Sequence, residues 1–381
     1  MANRSPVTDR SPVTDRSPAT DRSPATIRWG IVGCGQVCEV KSGPALYKSP
    51  GSEVSIVMRR DRALAEDFAR RHGIRRFTDD AHEVIVDPNV DAVYVATPPG
   101  THEHYALLVA AANKPCLVEK PMARSATECR RMWDAFRSVR QPLFVAYYRR
   151  ALPRFVKLKA LVEDGAIGEV IAIKHSLKKM AERRPREVGL PWRLDATNSG
   201  GGLFLDLGSH ALDLFDFLLG PVERVTGYAR NHSGHADVED AVVAAMTFES
   251  GALGSLSYQF GAGTNEDMLE VSGQRGQISC SVFGSEPLEL CNDSGSESIK
   301  VPHPAHVHQP LVESIVAELG GGPAKAPSRA DTALRTSVIM DKILAEYYGG
   351  RDDAFWRRVS TWPGLRRARA SAVPFGGSQK T

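Results

Sequence analysis

Residues 27–38, Ile-Arg-Trp-Gly-Ile-Val-Gly-Cys-Gly-Gln-Val-Cys, constrain the fold more than any other stretch of the chain. The first six are mostly apolar and read as a strand buried on both faces, the habit of parallel sheets. They run directly into Gly33-Cys34-Gly35, where a backbone without side chains can turn tightly. A strand, a glycine turn and a helix in that order open a βαβ crossover. Gly33 supplies the turn and Gly35 lets the backbone approach a pyrophosphate. Gln36 and Val37 begin the helix whose N-terminus would face that anion. The spacing is Gly-x-Gly-x-x-Cys, with Cys38 where a dinucleotide fingerprint has a third small residue. That position governs helix–strand packing, and a small thiol serves there.

The alternation continues downstream. Strands are expected at 53–58, 91–96, 115–118 and 143–147, with helices at 103–113 and about 126–139. This pattern means a doubly wound parallel sheet, with ligands outside the C-terminal ends of the strands. Thr97, Pro98, His102, Glu119 and Lys120 all fall at that rim. Lys120, at a strand end beside a proline, is a candidate acid–base or substrate-orienting group, the alternative being an ordinary surface lysine. An NAD site would carry an acid about 20 residues past the loop to hold the ribose hydroxyls. Here the strand ends in Met58-Arg59-Arg60-Asp61. The guanidinium fork suits a 2′-phosphate, so NADP is favoured and NAD stays possible. In the competing reading Arg59 and Arg60 are surface charges and Asp61 caps the next helix.

Residues 201–220 pose a different problem. Ten Leu and Phe residues surround Asp206, His210 and Asp213, which recur at i, i+4 and i+7 on one helical face. Burying two carboxylates and an imidazole costs several kcal/mol unless they are paired or at work. The bland alternative is a polar stripe facing water. A metal site there lacks neighbouring cysteine or histidine ligands, so no metal is expected.

At 381 residues, two domains are expected. With 42% hydrophobic and 24% charged residues the bulk of the chain is globular. A net charge of +3 argues against a nucleic-acid binder, and no apolar run reaches the ~18 residues of a membrane span. The six cysteines lack metal-type pairing and read as reduced, buried thiols of a cytoplasmic protein. Residues 1–26 repeat an Arg-Ser-Pro-Val/Ala-Thr-Asp unit that cannot bury surface, so a disordered tail is expected, and the stretch lacks the apolar segment of a secretion signal. Residues 27–150 form the first domain and 151–350 the second, with 351–381 as a basic tail. That tail is either solvated or a weak nucleic-acid contact.

Beyond residue 150 the pattern changes to a helix at about 153–164 and strands near 169–177, 222–230, 241–249, 252–260, 267–272, 276–281 and 288–290. Successive strands joined by short turns indicate a large, open, mostly antiparallel sheet covered by helices. A last helix at about 330–348 is expected to pack back on the first domain. The polar segment 178–190 reads as a solvated loop, or as a lid or anion-binding loop.

Four motifs now agree in order. The glycine loop, Thr97-Pro98-Pro99-Gly100-Thr101-His102, Glu119-Lys120-Pro121, and Gly200-Gly201-Gly202 leading to Asp206-x-x-x-His210-x-x-Asp213 together resemble the Gfo/Idh/MocA oxidoreductase family over residues 27–350. The resemblance implies an α/β fold with an N-terminal Rossmann domain and a C-terminal α+β domain. It implies that Lys120 contacts substrate and nicotinamide ribose, that Asp206 orients, and that His210 is the general acid–base. His102 and Glu119 match cofactor-side positions. Tyr148-Arg149 matches a nicotinamide-contacting pair, and Trp192-Arg193 a substrate-side loop. A homodimer or homotetramer is implied, built on the second sheet. Asp213 is expected to be structural or to orient His210.

The leading function is an NAD(P)-dependent dehydrogenase or reductase of a sugar, cyclitol or polyol, with His210 and Lys120 handling the proton. A glycosidase or lyase that retains NAD, or a non-catalytic dinucleotide sensor, are the alternatives. Retention of Lys120, Asp206 and His210 together argues against the sensor.

Overall fold

A computed structural model describes residues 26–180, 189–352 and 354–365 of the chain. Nearly all of the hexapeptide-repeat segment, most of the polar stretch 178–190, and residues 366–381 therefore lie outside the described residues.

The first domain runs β1 (Ile27–Val32), α1 (Gln36–Val40), α2 (Ser42–Lys48), β2 (Ser52–Met58), α3 (Arg62–Arg71), β3 (Phe77–Thr78) and α4 (Ala81–Val86). It continues β4 (Ala92–Val95), α5 (His102–Ala111), β5 (Cys116–Val118), α6 (Ala126–Ser138) and β6 (Leu143–Val145). The six strands pair in parallel in the order β3-β2-β1-β4-β5-β6. Trp29, Ile31, Val32 and all of β4 are buried, as a sheet covered by helices on both faces requires. The order reverses between β1 and β4, so the crevice at their C-terminal ends is where a doubly wound sheet binds its ligand.

The second domain begins α7 (Pro153–Glu163), β7 (Val170–Met180), α8 (Ala196–Ser199) and α9 (Leu203–Leu219). Seven strands follow: β8 (Val222–Arg230), β9 (Ala241–Phe248), β10 (Leu253–Ala262), β11 (Glu266–Gly273), β12 (Gly276–Cys280), β13 (Leu288–Asn292) and β14 (Gly295–Ile299). Two helices, α10 (Gln309–Leu319) and α11 (Ala330–Tyr348), come last. The eight strands form one open sheet, β14-β13-β12-β11-β7-β10-β9-β8, antiparallel except for the β7–β10 pair. Alternation decides its faces: Val242, Ala244, Met246 and Phe248 are buried while Val243 between them is exposed. The inner face receives α9, with Phe204 against Tyr258 and Phe215 against Phe248. The outer face leaves Ile171, Tyr228, Val243, Leu253 and Met268 exposed.

The final helix touches both domains. Ser337 on α11 meets Cys129 on α6, and Asp341 accepts from the Ala126 amide at 2.7 Å. Its other side packs on α9 and β8. Three expectations need correction. Residues 351–365 are not a tail: Arg351, Phe355, Trp356, Trp362 and Leu365 are buried, and Arg351 ties Asp341 to the Gly200 and Arg124 carbonyls. Cys291 is exposed on β13, unlike the five buried thiols. β3, β14 and α10 were not expected at all; the first is two residues long, and β14 is an exposed edge strand without an apolar face.

The deepest ion network holds α9. Arg150, buried, donates to Asp213 at 2.9 Å and Asp216 at 2.8 Å, and Arg335 from α11 takes Asp216 from outside at 2.7 Å. Burial drives the Asp213 carboxyl up to about 6 even with Arg150 beside it. No described helix is long and apolar enough to cross a membrane. Replacing Arg150 by Leu strands the buried Asp213 carboxylate and leaves Asp216 to Arg335 alone, so folding stability should fall by about 3–5 kcal/mol, read from the urea unfolding midpoint. A loss within experimental error would show that the network does not support the helix.

Candidate active site

Three glycines set the entry of α9. Gly200 ends α8 at φ +83°, and a Cβ there would lie 2.8 Å from the Arg124 backbone; one on Gly202 would lie 2.2 Å from the Glu239 carbonyl. The close seating aims the first turns of α9 at the C-terminal rim of the parallel sheet. Lys120, just past β5, donates to the Asp206 carbonyl at 3.0 Å and to its carboxylate. Arg193, in a short 3₁₀ turn beneath exposed Trp192, donates to the second carboxylate oxygen at 3.1 Å. Burial pushes the Asp206 carboxyl up, but Lys120 and Arg193 outweigh it and hold it below the usual range.

His210 lies one turn further along α9, buried, with no hydrogen-bond partner for its Nδ1 among the described residues. Its ring stands edge-on to Tyr147, Tyr148 and Phe283, at centroid distances of 6.0, 5.4 and 6.0 Å. Burial first, then the charges of Arg149 and Lys120, press its pKa well below the ordinary histidine value. The expectation that Asp206 or Asp213 orients His210 is therefore corrected: Asp206 serves Lys120 and Arg193, and Asp213 serves Arg150.

Tyr148 stacks on His308 at 4.5 Å, and His308 is buried at the entrance of α10 with its pKa pressed to about 3 by burial and by Lys41 and Lys120. Sequence reading did not find His308, because it did not place α10. The signal was present: Pro310 in the first turn, followed by Leu311, Val312, Ile315, Val316 and Leu319 at helical spacing.

A cavity of about 370 Å³ opens at the crevice between β1 and β4, lined among others by Gly33, Gly35, Arg59, Arg60, Thr97 and Thr101. Gly33 sits at φ +93° against Thr97, where any side chain would clash, and the space above Gly35 is clear, with the nearest atom to a Cβ there 3.9 Å away. Cys38 is fully buried, as the packing position of the fingerprint needs. Pro98 and Met58 also line the cavity; Gln36 and Val37 open α1 beside it without lining it. Asp61 is committed to capping α3 through the Leu64 amide, and Arg59 and Arg60 have no ion pair among the described residues. A glycine cradle beside two unpaired arginines fits a phosphate-rich dinucleotide. Two residues expected to face it do not. His102 is fully buried, its Nε2 2.7 Å from the Thr97 carbonyl and its Nδ1 3.1 Å from that of Pro121, so it joins two rim loops from beneath. Glu119 is buried and accepts from Tyr94 at 2.6 Å and from the Lys120 amide at 3.1 Å, which fixes the start of the lysine segment.

Comparison with known proteins agrees with the two-domain fold. A family model described as an oxidoreductase family with an NAD-binding Rossmann fold matches residues 27–147, and one for the GFO/IDH/MocA C-terminal domain matches 155–279. An oxidoreductase from Formosa agariphila is 36% identical over 83% of this chain and 97% of its own length. The myo-inositol 2-dehydrogenase of Thermotoga maritima is 29% identical over 71% of this chain and 79% of its own. The structure of a levoglucosan dehydrogenase with NADH and levoglucosan superposes at a TM-score of 0.74, with 25% identity, covering 84% of this chain and 96% of that one.

A histidine with a depressed pKa stays neutral, hence able to accept a proton, to lower pH than a free imidazole. If His210 accepts the proton during alcohol oxidation, the acid limb of the kcat/KM profile should lie well below pH 6.5. A limb at or above 6.5 would contradict this placement.

Proposed function

The chain belongs to the GFO/IDH/MocA oxidoreductase family, and from that premise we propose that it transfers a hydride between NADP and a carbinol or ketone carbon of a sugar, cyclitol or related polyol. The observation that carries this reading is the meeting of Lys120 from the parallel sheet with Asp206 on α9, one turn from a neutral, unpartnered His210. The names of the inositol and levoglucosan dehydrogenases among its relatives support a polyhydroxylated substrate.

The bound nicotinamide supplies the acceptor or donor of the hydride. The rest falls to the protein. His210 takes the hydroxyl proton as the carbon is oxidised, or returns it on reduction. Lys120, fixed by Asp206, steadies the developing negative oxygen. Arg193 and Glu119 restrict Lys120 from two sides, Arg193 through Asp206 and Glu119 through the lysine amide. Tyr148 lines the same wall against His210 and His308. Arg59 and Arg60 at the cavity mouth favour the 2′-phosphate, and Asp61, which also lines the cavity, turns one oxygen to the Leu64 amide of α3. The apolar outer face of the second sheet seats another copy of the chain, which gives a homodimer or homotetramer.

The test is a screen of sugars, inositols and keto-sugars, followed by the near-ultraviolet absorbance of reduced nicotinamide, with both cofactors in parallel. A polyhydroxylated substrate should turn over with a lower KM for NADP than for NAD. His210→Ala should lower kcat by about 10²–10⁴-fold on the best substrate. Full activity in that variant would reject the acid–base assignment, and an equal or lower KM for NAD would reject the cofactor preference.

A further inference from the structure

Among the described residues four arginines are buried: Arg149, Arg150, Arg154 and Arg351. Three are satisfied. Arg150 meets Asp213 and Asp216, Arg351 meets Asp341, and Arg154 donates to the Gly284 and Glu286 carbonyls. Arg149 differs. Its Nε donates to the Val282 carbonyl at 3.0 Å, but among the described residues its terminal nitrogens have no hydrogen-bond partner, and Nη1 is wholly covered. A guanidinium withdrawn from water without a counter-charge is costly, and proteins seldom leave one so.

The position of that guanidinium says what it is for. Its carbon lies 4.9 Å from the Tyr148 ring centre and 4.6 Å from that of Phe283. The same two rings stand edge-on to His210, so Arg149 and His210 share one aromatic wall. Among the described residues no carboxylate pairs with Arg149: Asp267 is taken by the amides of Val282 and Phe283 and by His175 Nε2. Both oxygens of Asp206 are taken by Lys120 and Arg193, and Glu119 is taken by Tyr94 and the Lys120 amide. The wall is thus short of negative charge, and an anion on the substrate would supply it. The planar fork of a guanidinium, held against two rings, matches the two oxygens of a carboxylate.

Resting on the oxidoreductase reading above, we infer that the substrate is a polyhydroxy acid, a uronic or aldonic acid, whose carboxylate docks on Arg149 while its reacting hydroxyl meets His210 and Lys120. The carboxylate does not react. It fixes which carbon faces the proton-handling pair, and it makes the matching neutral sugar a poorer ligand because Arg149 then stays buried and unpaired.

Calorimetric titration of the full chain saturated with oxidised cofactor tests this, using glucuronate, galacturonate and gluconate against glucose, galactose and glucitol. At least one acid should bind about tenfold or more tightly than its neutral parent, with an advantage that shrinks as salt is raised. Arg149→Met should reduce the acid-to-neutral ratio to about one, and Arg149→Lys, which keeps the charge and guards against a folding defect, should restore part of it. Neutral sugars binding as tightly as every acid, or a preference that survives in Arg149→Met, would overturn the inference. So would a loss of cofactor affinity with the ratio unchanged, because it would assign Arg149 to the dinucleotide. An Arg149-dependent acid preference without hydride transfer would leave this inference standing and reject the proposed function instead.

Discussion

The ion pair between Lys120 and Asp206 is the contact through which the two domains make one site. Lys120 stands at the end of a parallel strand, and Asp206 in the first turn of the helix that covers the antiparallel sheet. Neither domain alone contains both halves. For the pair to form, Gly200 must adopt a positive φ and Gly202 must lie bare against Glu239, and Glu119 must be anchored under the sheet by Tyr94. Packing far from any substrate therefore determines where a charged nitrogen stands.

Helix α9 is divided by charge. Its C-terminal half buries Asp213 and Asp216, and Arg150 and Arg335 compensate them, so these acids serve the fold. Its N-terminal half carries Asp206, which is compensated by Lys120 and Arg193, and His210, which has no compensation. An uncompensated polar group is what a working site needs and what a mere core would not tolerate. Arg149 extends that uncompensated region along the wall formed by Tyr148 and Phe283, while His308, stacked on Tyr148, has Glu119 3.8 Å from its Nδ1.

Much of this was legible in the sequence because the local signals were redundant. The apolar run of Ile27–Val32 and the two glycines specify a strand and a turn almost without context, and the parallel sheet followed from repetition of that pattern. The i, i+4, i+7 acids and histidine of α9 were visible for the same reason. What was not legible depends on distance in three dimensions. That Asp213 would pair with Arg150 rather than orient His210 requires knowing that residues 63 apart in sequence come within 2.9 Å. His102 looked like a rim residue, and only the approach of the Pro121 carbonyl shows it beneath the rim. Residues 351–365 looked like tail because Arg357 and Arg358 mask the buried Phe355, Trp356 and Trp362.

If Lys120 and Asp206 act as one unit across the domain boundary, their removal must not be additive. The direct measurement is a double-mutant cycle of Lys120→Met and Asp206→Asn on kcat/KM for the best substrate. Each single change should cost nearly as much as both together, with a coupling free energy of about 1.5–3 kcal/mol. Additive losses, with coupling near zero, would mean that the two residues work independently and that the pair is not what assembles the site.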